Sequence, residues 1–286
     1  MAMDEQGLGK QLQQARQAAG LTQQQLCHKA NLSFSTLTKI ERGAIKSPSI
    51  FTVQAIAEAL GTSLDTLMGR HSPAVAHPRD LQKTKSGASF IYFDMNGCLV
   101  HFFQRAFGQL AASTGASLDT VESAFWHYND QVCRGTLSIS DFNKKLAERL
   151  HVDSVDWTSC YLETVEAIEP MRDLVKWASE HYKIGLLTNT MPGLVSALQR
   201  SGQLPDVQYD VIIDSSEVGT IKPESGIYEI AAQRAGCNTE EILLIDDSRA
   251  NLMAAEKLGW HVLWFDDSHA EEAVDRVRQT LEFAQD

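Results

Sequence analysis

Two folds are expected in one chain: a short all-α domain first, then an α/β doubly wound parallel sheet carrying an inserted block of helices. Three observations predict this. The stretch Phe90-Ile-Tyr-Phe-Asp94-Met-Asn96-Gly97-Cys-Leu99 starts as the apolar run of a fully buried parallel strand and ends in a carboxylate. From Glu169 onward, helical and strand-like segments alternate. Residues 1–70 hold five short helical patterns.

In the first 70 residues, Leu8, Leu12, Ala15 and Ala19 recur at helical spacing, and Gly20 stops that helix. Thr22 with Gln25 three residues on forms a capping box for a second helix, which ends near Asn31. A third runs from about Ser33 to Arg42, with Leu37 and Ile40 inward, and Gly43 ends it. A fourth starts at Ser49 with Val53, Ile56, Ala57 and Leu60 on one face, and Leu64 and Leu67 mark a short fifth. Short helices with a tight turn between the second and third fit a helix-turn-helix. Residues 71–88 hold prolines and polar residues without periodicity and read as a linker, with His71 and His77 as solvated linker residues.

After the strand ending at Asp94, residues 102–166 read as helical. Ala106, Phe107 and Leu110 mark one helix; Val121, Phe125 and Val132 a second; Phe142, Leu146 and Leu150 a third; Trp157, Tyr161 and Val165 a fourth. Helices near 170–181, 193–200, 224–235, 251–258 and 269–283 then alternate with strands at 183–187, 209–214, 241–245 and 261–265. Asp94, Thr188 with Asn189, and Asp246 with Asp247 all follow strands, and Lys222 precedes a helix. One parallel sheet would bring these ends to one edge: carboxylates for a hard divalent cation, a hydroxyl and a lysine for phosphate oxygens, and a carboxylate poised for attack. That is the inventory phosphoryl transfer needs.

The chain has 286 residues, 43% hydrophobic and 22% charged, which is enough for two soluble domains with a sizeable core. No apolar run approaches the roughly 18 residues of a membrane helix, so no membrane partner is expected. The N-terminus does not read as a secretory signal, and five scattered cysteines without a CxxC pair suggest reduced thiols in a cytoplasm. Residues 1–72 hold seven basic and five acidic residues, so the head is +2 while the whole chain is −12. A polyanion would therefore bind at the head only.

Leu21-Thr22-Gln23 through Leu26 to Asn31, followed by Ser35-Thr-Leu37-Thr-Lys39-Ile40-Glu41-Arg42-Gly43, resembles the phage-repressor/Cro (XRE) helix-turn-helix. The resemblance implies double-stranded operator DNA as partner, a homodimer, and a DNA-facing set of Gln23, Ser33, Phe34, Ser35, Thr38, Lys39 and Arg42. Glu41 would repel phosphate and reads as a structural residue.

The second resemblance rests on four motifs in order: Phe93-Asp94-Met-Asn96-Gly97; Leu187-Thr188-Asn189; Ile221-Lys222-Pro223 with Ser225-Gly-Ile-Tyr228; and Ile245-Asp246-Asp247-Ser248 with Asn251. They resemble those of the haloacid dehalogenase (HAD) superfamily, and the helical block its C1 cap. The resemblance implies a Rossmann-like HAD domain over 89–286 with Asp94 as nucleophile. Thr188, Asn189 and Lys222 would hold the phosphate of a small metabolite. Asp94, Asp246 and Asp247, with the backbone of Asn96, would hold Mg²⁺. Asn96 departs from the family's second Asp, the general acid and base; an amide can fill neither role. The departure fits a retired enzyme kept as a ligand domain, slow or altered catalysis, or an inactivating change made by design. The catalytic set of Asp94, Asn96, Thr188 and Lys222 is therefore expected to bind phosphate and metal but turn over poorly. His101, Gln104, Arg105, Trp126, Tyr128 and Arg134 are the cap's candidates for substrate contact.

Overall fold

The structure, a computed structural model, describes residues 5–19, 21–45, 48–60 and 81–283. It divides into two compact units, 1–78 and 79–286.

In the first unit, α1 (Glu5–Ala18), α2 (Gln23–Lys29), α3 (Phe34–Glu41) and α4 (Ile50–Leu60) pack around Leu12, Leu26, Leu37, Ile40 and Ile56. The expected capping box opens α2: Thr22 Oγ1 accepts from the Gln25 amide at 3.2 Å, and Gln25 Oε1 from the Thr22 amide at 2.8 Å. Asn31 turns the chain at φ +51°, and Ser33 caps α3 by accepting from the Thr36 amide at 3.1 Å. α1 meets the end of α3 at Gly9, where a Cβ would lie 2.4 Å from the Ile40 carbonyl oxygen. Beside that contact, Arg16 donates to both carboxylate oxygens of Glu41, at 2.7 and 3.0 Å, with both side chains buried. The fifth helix expected near Leu64 and Leu67 falls outside the described residues, as do His71 and His77.

The second unit is built on a parallel sheet in the order β3-β2-β1-β4-β5. Its strands are β1 (Phe90–Phe93), β2 (Lys183–Thr188), β3 (Val211–Asp214), β4 (Ile242–Asp246) and β5 (His261–Trp264). β1 is central and buried throughout, so its side chains feed both faces. Ile91 and Phe93 join Ile184, Leu186, Leu243 and Ile245 on one face. Phe90 and Tyr92 join Leu187, Ile213, Ile242 and Leu244 on the other. The strand expected over 209–214 begins only at Val211.

Between β1 and β2 stand the four helices of the cap, α5 (Gln104–Thr114), α6 (Leu118–Cys133), α7 (Ile139–Leu150) and α8 (Trp157–Thr164). They pack through Phe107, Phe125, Phe142, Trp157 and Tyr161. The later helices are α9 (Glu169–His181), α10 (Leu194–Arg200), α11 (Ser215–Val218), α12 (Ser225–Ala235), α13 (Arg249–Lys257) and α14 (Ala270–Thr280).

The stretch expected as the end of a linker is not free. The Gln82 amide donates to the His181 carbonyl at 2.8 Å, and Thr84 forms a bridge with Phe283. Residues 81–88 thus belong to the second unit, because their backbone groups find partners on the sheet domain that a polar composition does not reveal. Among the described residues, no helix is long and apolar enough to cross a membrane.

Candidate active site and candidate DNA-facing helix

Asp94 is delivered by β1 and Asp246 by its neighbour β4, and the Asp94 amide donates to the Ile245 carbonyl at 2.9 Å. The order of the sheet reverses here, where open α/β sheets place their ligands. Lys222 arrives from the loop before α12. Its Nζ lies 2.9 Å from Asp94 Oδ1 and 2.5 Å from Asp246 Oδ2, and all three side chains are buried. Asn189 holds that loop by its backbone, donating to the Lys222 carbonyl at 2.8 Å and accepting from its amide at 2.7 Å. Asn251 Nδ2 donates to Asp246 Oδ1 at 3.0 Å, and the Ser248 amide to the same oxygen at 2.8 Å.

One residue on from Asp246, Asp247 turns back toward β1. Gly97 makes room for it: φ is +83°, and a Cβ would sit 2.3 Å from Asp247 Oδ2. Any other residue there would face both backbone strain and a collision with a carboxylate.

Oxygens of Asp94, Asp246 and Asp247 lie within 4.8 Å of one another. Three carboxylates around a single ammonium leave excess negative charge in a buried place. Burial, with the charge of Asp246 adding to it and Lys222 pulling the other way, raises Asp94 to about 6. Burial and the charges of Asp94 and Asp246 raise Asp247 to about 7. Burial works against the Lys222 charge, but the two carboxylates more than offset it and hold its pKa above the ordinary value. An all-oxygen set with this surplus suits a hard divalent cation, which would relieve the repulsion.

Asp94, Asn96, Asn189, Lys222, Asp247, Ser248 and Asn251 line one cavity of about 270 Å³, closed from the cap by Phe102, Phe103, Trp126 and Asn129. Asn96 is fixed by a residue of the cap: Tyr161 donates its hydroxyl to Asn96 Oδ1 at 2.7 Å in a buried contact. Thr188 is fully buried at the end of β2 and is not among the lining residues. Its Oγ1 has no hydrogen-bond partner among the described residues.

In the first unit, Phe34, Ser35, Lys39 and Arg42 are exposed on and just beyond α3, at spacings that put them on one side. Phe34 keeps half its surface open to solvent. Ser33 is spent on the cap, the buried Thr38 hydroxyl has no partner among the described residues, and Gln23 donates to Glu41 Oε2 at 2.8 Å. Glu41 is the structural residue expected, tying α1, α2 and α3 together.

Residues 90–259 match the family model for haloacid dehalogenase-like hydrolases, and residues 12–67 match a helix-turn-helix model. The chain belongs to the haloacid dehalogenase-like hydrolase family. Its N-terminal unit is a helix-turn-helix domain. A phosphatase of Mycobacterium tuberculosis is 29% identical over 172 residues, covering 56% of this chain and 78% of that protein. The HTH-type transcriptional regulator RghRB of Bacillus subtilis is 30% identical over 84 residues, covering 29% of this chain and 60% of that one. The chain spans only 7% of another relative, mouse acyl-CoA dehydrogenase family member 10. A HAD-like hydrolase structure from Porphyromonas gingivalis shares the fold, with a TM-score of 0.57 at 23% identity over 68% of this chain and 98% of that one.

Within this HAD domain, the sequence-predicted residues Asp94, Asn96, Asn189, Lys222 and Asp247 meet at one cavity, with Asp246 hydrogen-bonded directly behind. Of the six cap candidates, Trp126 lines the cavity; Arg105 is paired with Glu166, and Arg134 with Glu224. Sequence reasoning did not single out Phe102, Phe103, Asn129 or the hydroxyl of Tyr161 as site groups. Tyr161 sits at a core-facing position of α8, and its pattern there is that of any packing residue.

Proposed function

We propose that this protein is a DNA-binding transcriptional regulator whose HAD domain binds Mg²⁺ and a phosphorylated small molecule with weak or no turnover. The observation that carries this reading is Asn96. It stands at the acid/base position of an otherwise complete set of Asp94, Lys222, Asp246 and Asp247, with its amide held by Tyr161.

Asp94, Asp246 and Asp247, with the Asn96 backbone carbonyl, would hold Mg²⁺, which when bound would supply positive charge for the phosphoryl oxygens. Lys222 adds a charged donor on the cavity wall. The Asp94 carboxylate faces the phosphorus, but no side chain at position 96 can hand a proton to the leaving oxygen or take one from water. Binding and positioning survive, while the proton-transfer contribution is lost. At the head, Lys39 and Arg42 meet DNA in the major groove beside Phe34. A homodimer reads two half-sites, since one such module contacts only a few base pairs.

Electrophoretic shifts on the neighbouring promoter test the reading, with Mg²⁺ and inorganic phosphate present or absent, alongside hydrolysis of a panel of sugar and nucleotide phosphates. A shift with little hydrolysis supports it; rapid hydrolysis without a shift refutes it. A second reading, an active phosphatase that also binds DNA, is favoured by one feature: the nucleophilic carboxylate of Asp94 and its ammonium partner are intact.

A further inference from the structure

We infer that the phosphorylated ligand carries a compact, uncharged aromatic group on its ester oxygen, stacked against Phe102 and Trp126. The inference rests on the reading of the Asp94–Lys222 centre as a phosphoryl site and adds what lies on the other side of the ester.

The cavity has two unlike walls. The wall from the sheet is polar and charged, and the wall from the cap is three aromatic rings and one amide, Asn129. Phe102 and Trp126 lie stacked with centroids 5.9 Å apart and 14° between their planes. Trp126 is braced edge-on by Phe125 at 5.0 Å, yet stays 44% exposed. An isolated exposed Trp would need no explanation. This one lines a cavity over an acidic centre, with its orientation fixed by packing, so it offers a preformed flat surface.

Charge and hydrogen-bonding capacity narrow the occupant. Among the described residues, Lys222 is the one cationic side chain lining the cavity, and it is already held by Asp94 and Asp246. Arg105 and Arg134, the arginines among the cap's candidates for substrate contact, do not line the cavity and are paired with Glu166 and Glu224. A second phosphate or a carboxylate on the ligand would therefore find no free cationic side chain among the described lining residues. A polyhydroxy group would bury several hydroxyls against a wall that answers with a single amide, and unpaired polar groups are costly. At about 270 Å³ the cavity lies just below the usual range of about 300–1,000 Å³ for ligand pockets, room for a phosphoryl group and one ring but not a nucleoside.

The test is calorimetric titration of the full chain with Mg²⁺ and, separately, inorganic phosphate, phenyl phosphate, ribose 5-phosphate and uridine 5′-monophosphate. Phenyl phosphate should bind about tenfold tighter than ribose 5-phosphate, a factor that stacking on one or two rings supplies. Trp126→Ala should reduce that ratio to about threefold or less, and Trp126→Phe, which keeps a ring, should restore most of it. If inorganic phosphate binds but ribose 5-phosphate or the nucleotide matches or exceeds phenyl phosphate, the aromatic assignment is overturned and the phosphoryl site stands. If Trp126→Ala leaves the ratio unchanged, the cap wall is not the selective surface. If inorganic phosphate does not bind with Mg²⁺, both readings fall together.

Discussion

Replacing Asn96 by Asp should turn a binding site into a working phosphatase. The side chains have nearly the same size, so no repacking is needed, and the Tyr161 hydroxyl can donate to a carboxylate oxygen as it does to Asn96 Oδ1 at 2.7 Å. General acid/base catalysis contributes about 10²- to 10⁴-fold. The structure argues for the lower end of that range. A hydrogen bond to a charged group is worth about 1.5–3 kcal/mol, so the Tyr161 bond holds the new carboxylate ionised and short of the proton it must deliver. A gain of about 10²-fold in hydrolysis of small phosphate esters is expected for Asn96→Asp. Adding Tyr161→Phe should raise the rate further, because the carboxyl then keeps its proton more readily. Release of phosphate is the assay, with peptide mass spectrometry of the parent protein in parallel. Asn96-Gly97 is prone to deamidation, and a converted fraction would mimic activity. If Asn96→Asp binds Mg²⁺ as the parent does and still hydrolyses no ester, while other HAD phosphatases do so beside it, the missing carboxyl is not what silences the site.

Three further outcomes follow from the geometry. Lys39→Ala should weaken specific DNA binding by about 1–3 kcal/mol, and equal gel shifts for variant and parent would remove α3 from the groove. Asp246→Ala should abolish Mg²⁺ binding by calorimetry, since it deletes one of three clustered carboxylates; unchanged affinity would exclude this site. Burial raises the pKa of Glu41, but its bonds with Arg16 and Gln23 outweigh that and leave it below the ordinary 4.5. A lowered folded-state pKa contributes stability above the unfolded value that is lost as pH falls through the folded one. Glu41→Gln should therefore cost the head about 3 kcal/mol at neutral pH. The difference from the parent should shrink below about pH 4.5, as read by thermal unfolding across pH; a gap that stays constant down to pH 2 would contradict the ion-pair account.

The sheet edge was legible because each of its residues announces itself locally. Asp94 follows an apolar run of the kind that makes a buried strand, Gly97 follows where the backbone can turn sharply, and Asp246-Asp247 close a second such run. Parallel pairing then forces the ends together: Phe93 lies opposite both Leu186 and Ile245, so the residues after them converge whatever the loops do. Helix starts at Thr22 and Ser33 were equally local, since a cap and its partner lie three residues apart. What stayed hidden depends on contacts far apart in sequence. Gly9 is small because the Ile40 carbonyl lies over it, and Arg16 is buried because Glu41, 25 residues on, meets it. The polar stretch 81–88 read as a linker because composition cannot show that His181 and Phe283 pair with it.

Tyr161 is the sharpest case of this limit. In sequence it is one aromatic among several on a cap helix, 65 residues from Asn96, and core packing accounts for its spacing fully. In the folded protein its ring serves that packing while its side-chain hydroxyl reaches Asn96, the residue at the acid/base position of the proposed site. A Phe there would satisfy the helical pattern equally well, so no periodicity argument can distinguish the two. The distinction comes from the cost of burying a hydroxyl. Tyr161 is almost wholly buried, and an unpaired hydroxyl at that depth would cost about 1–3 kcal/mol. Asn96 Oδ1 satisfies it, and in doing so the amide is held with its oxygen toward the cap. Under the proposed function, a side chain that cannot move a proton is thus held in place at the cavity by a hydrogen bond from the cap.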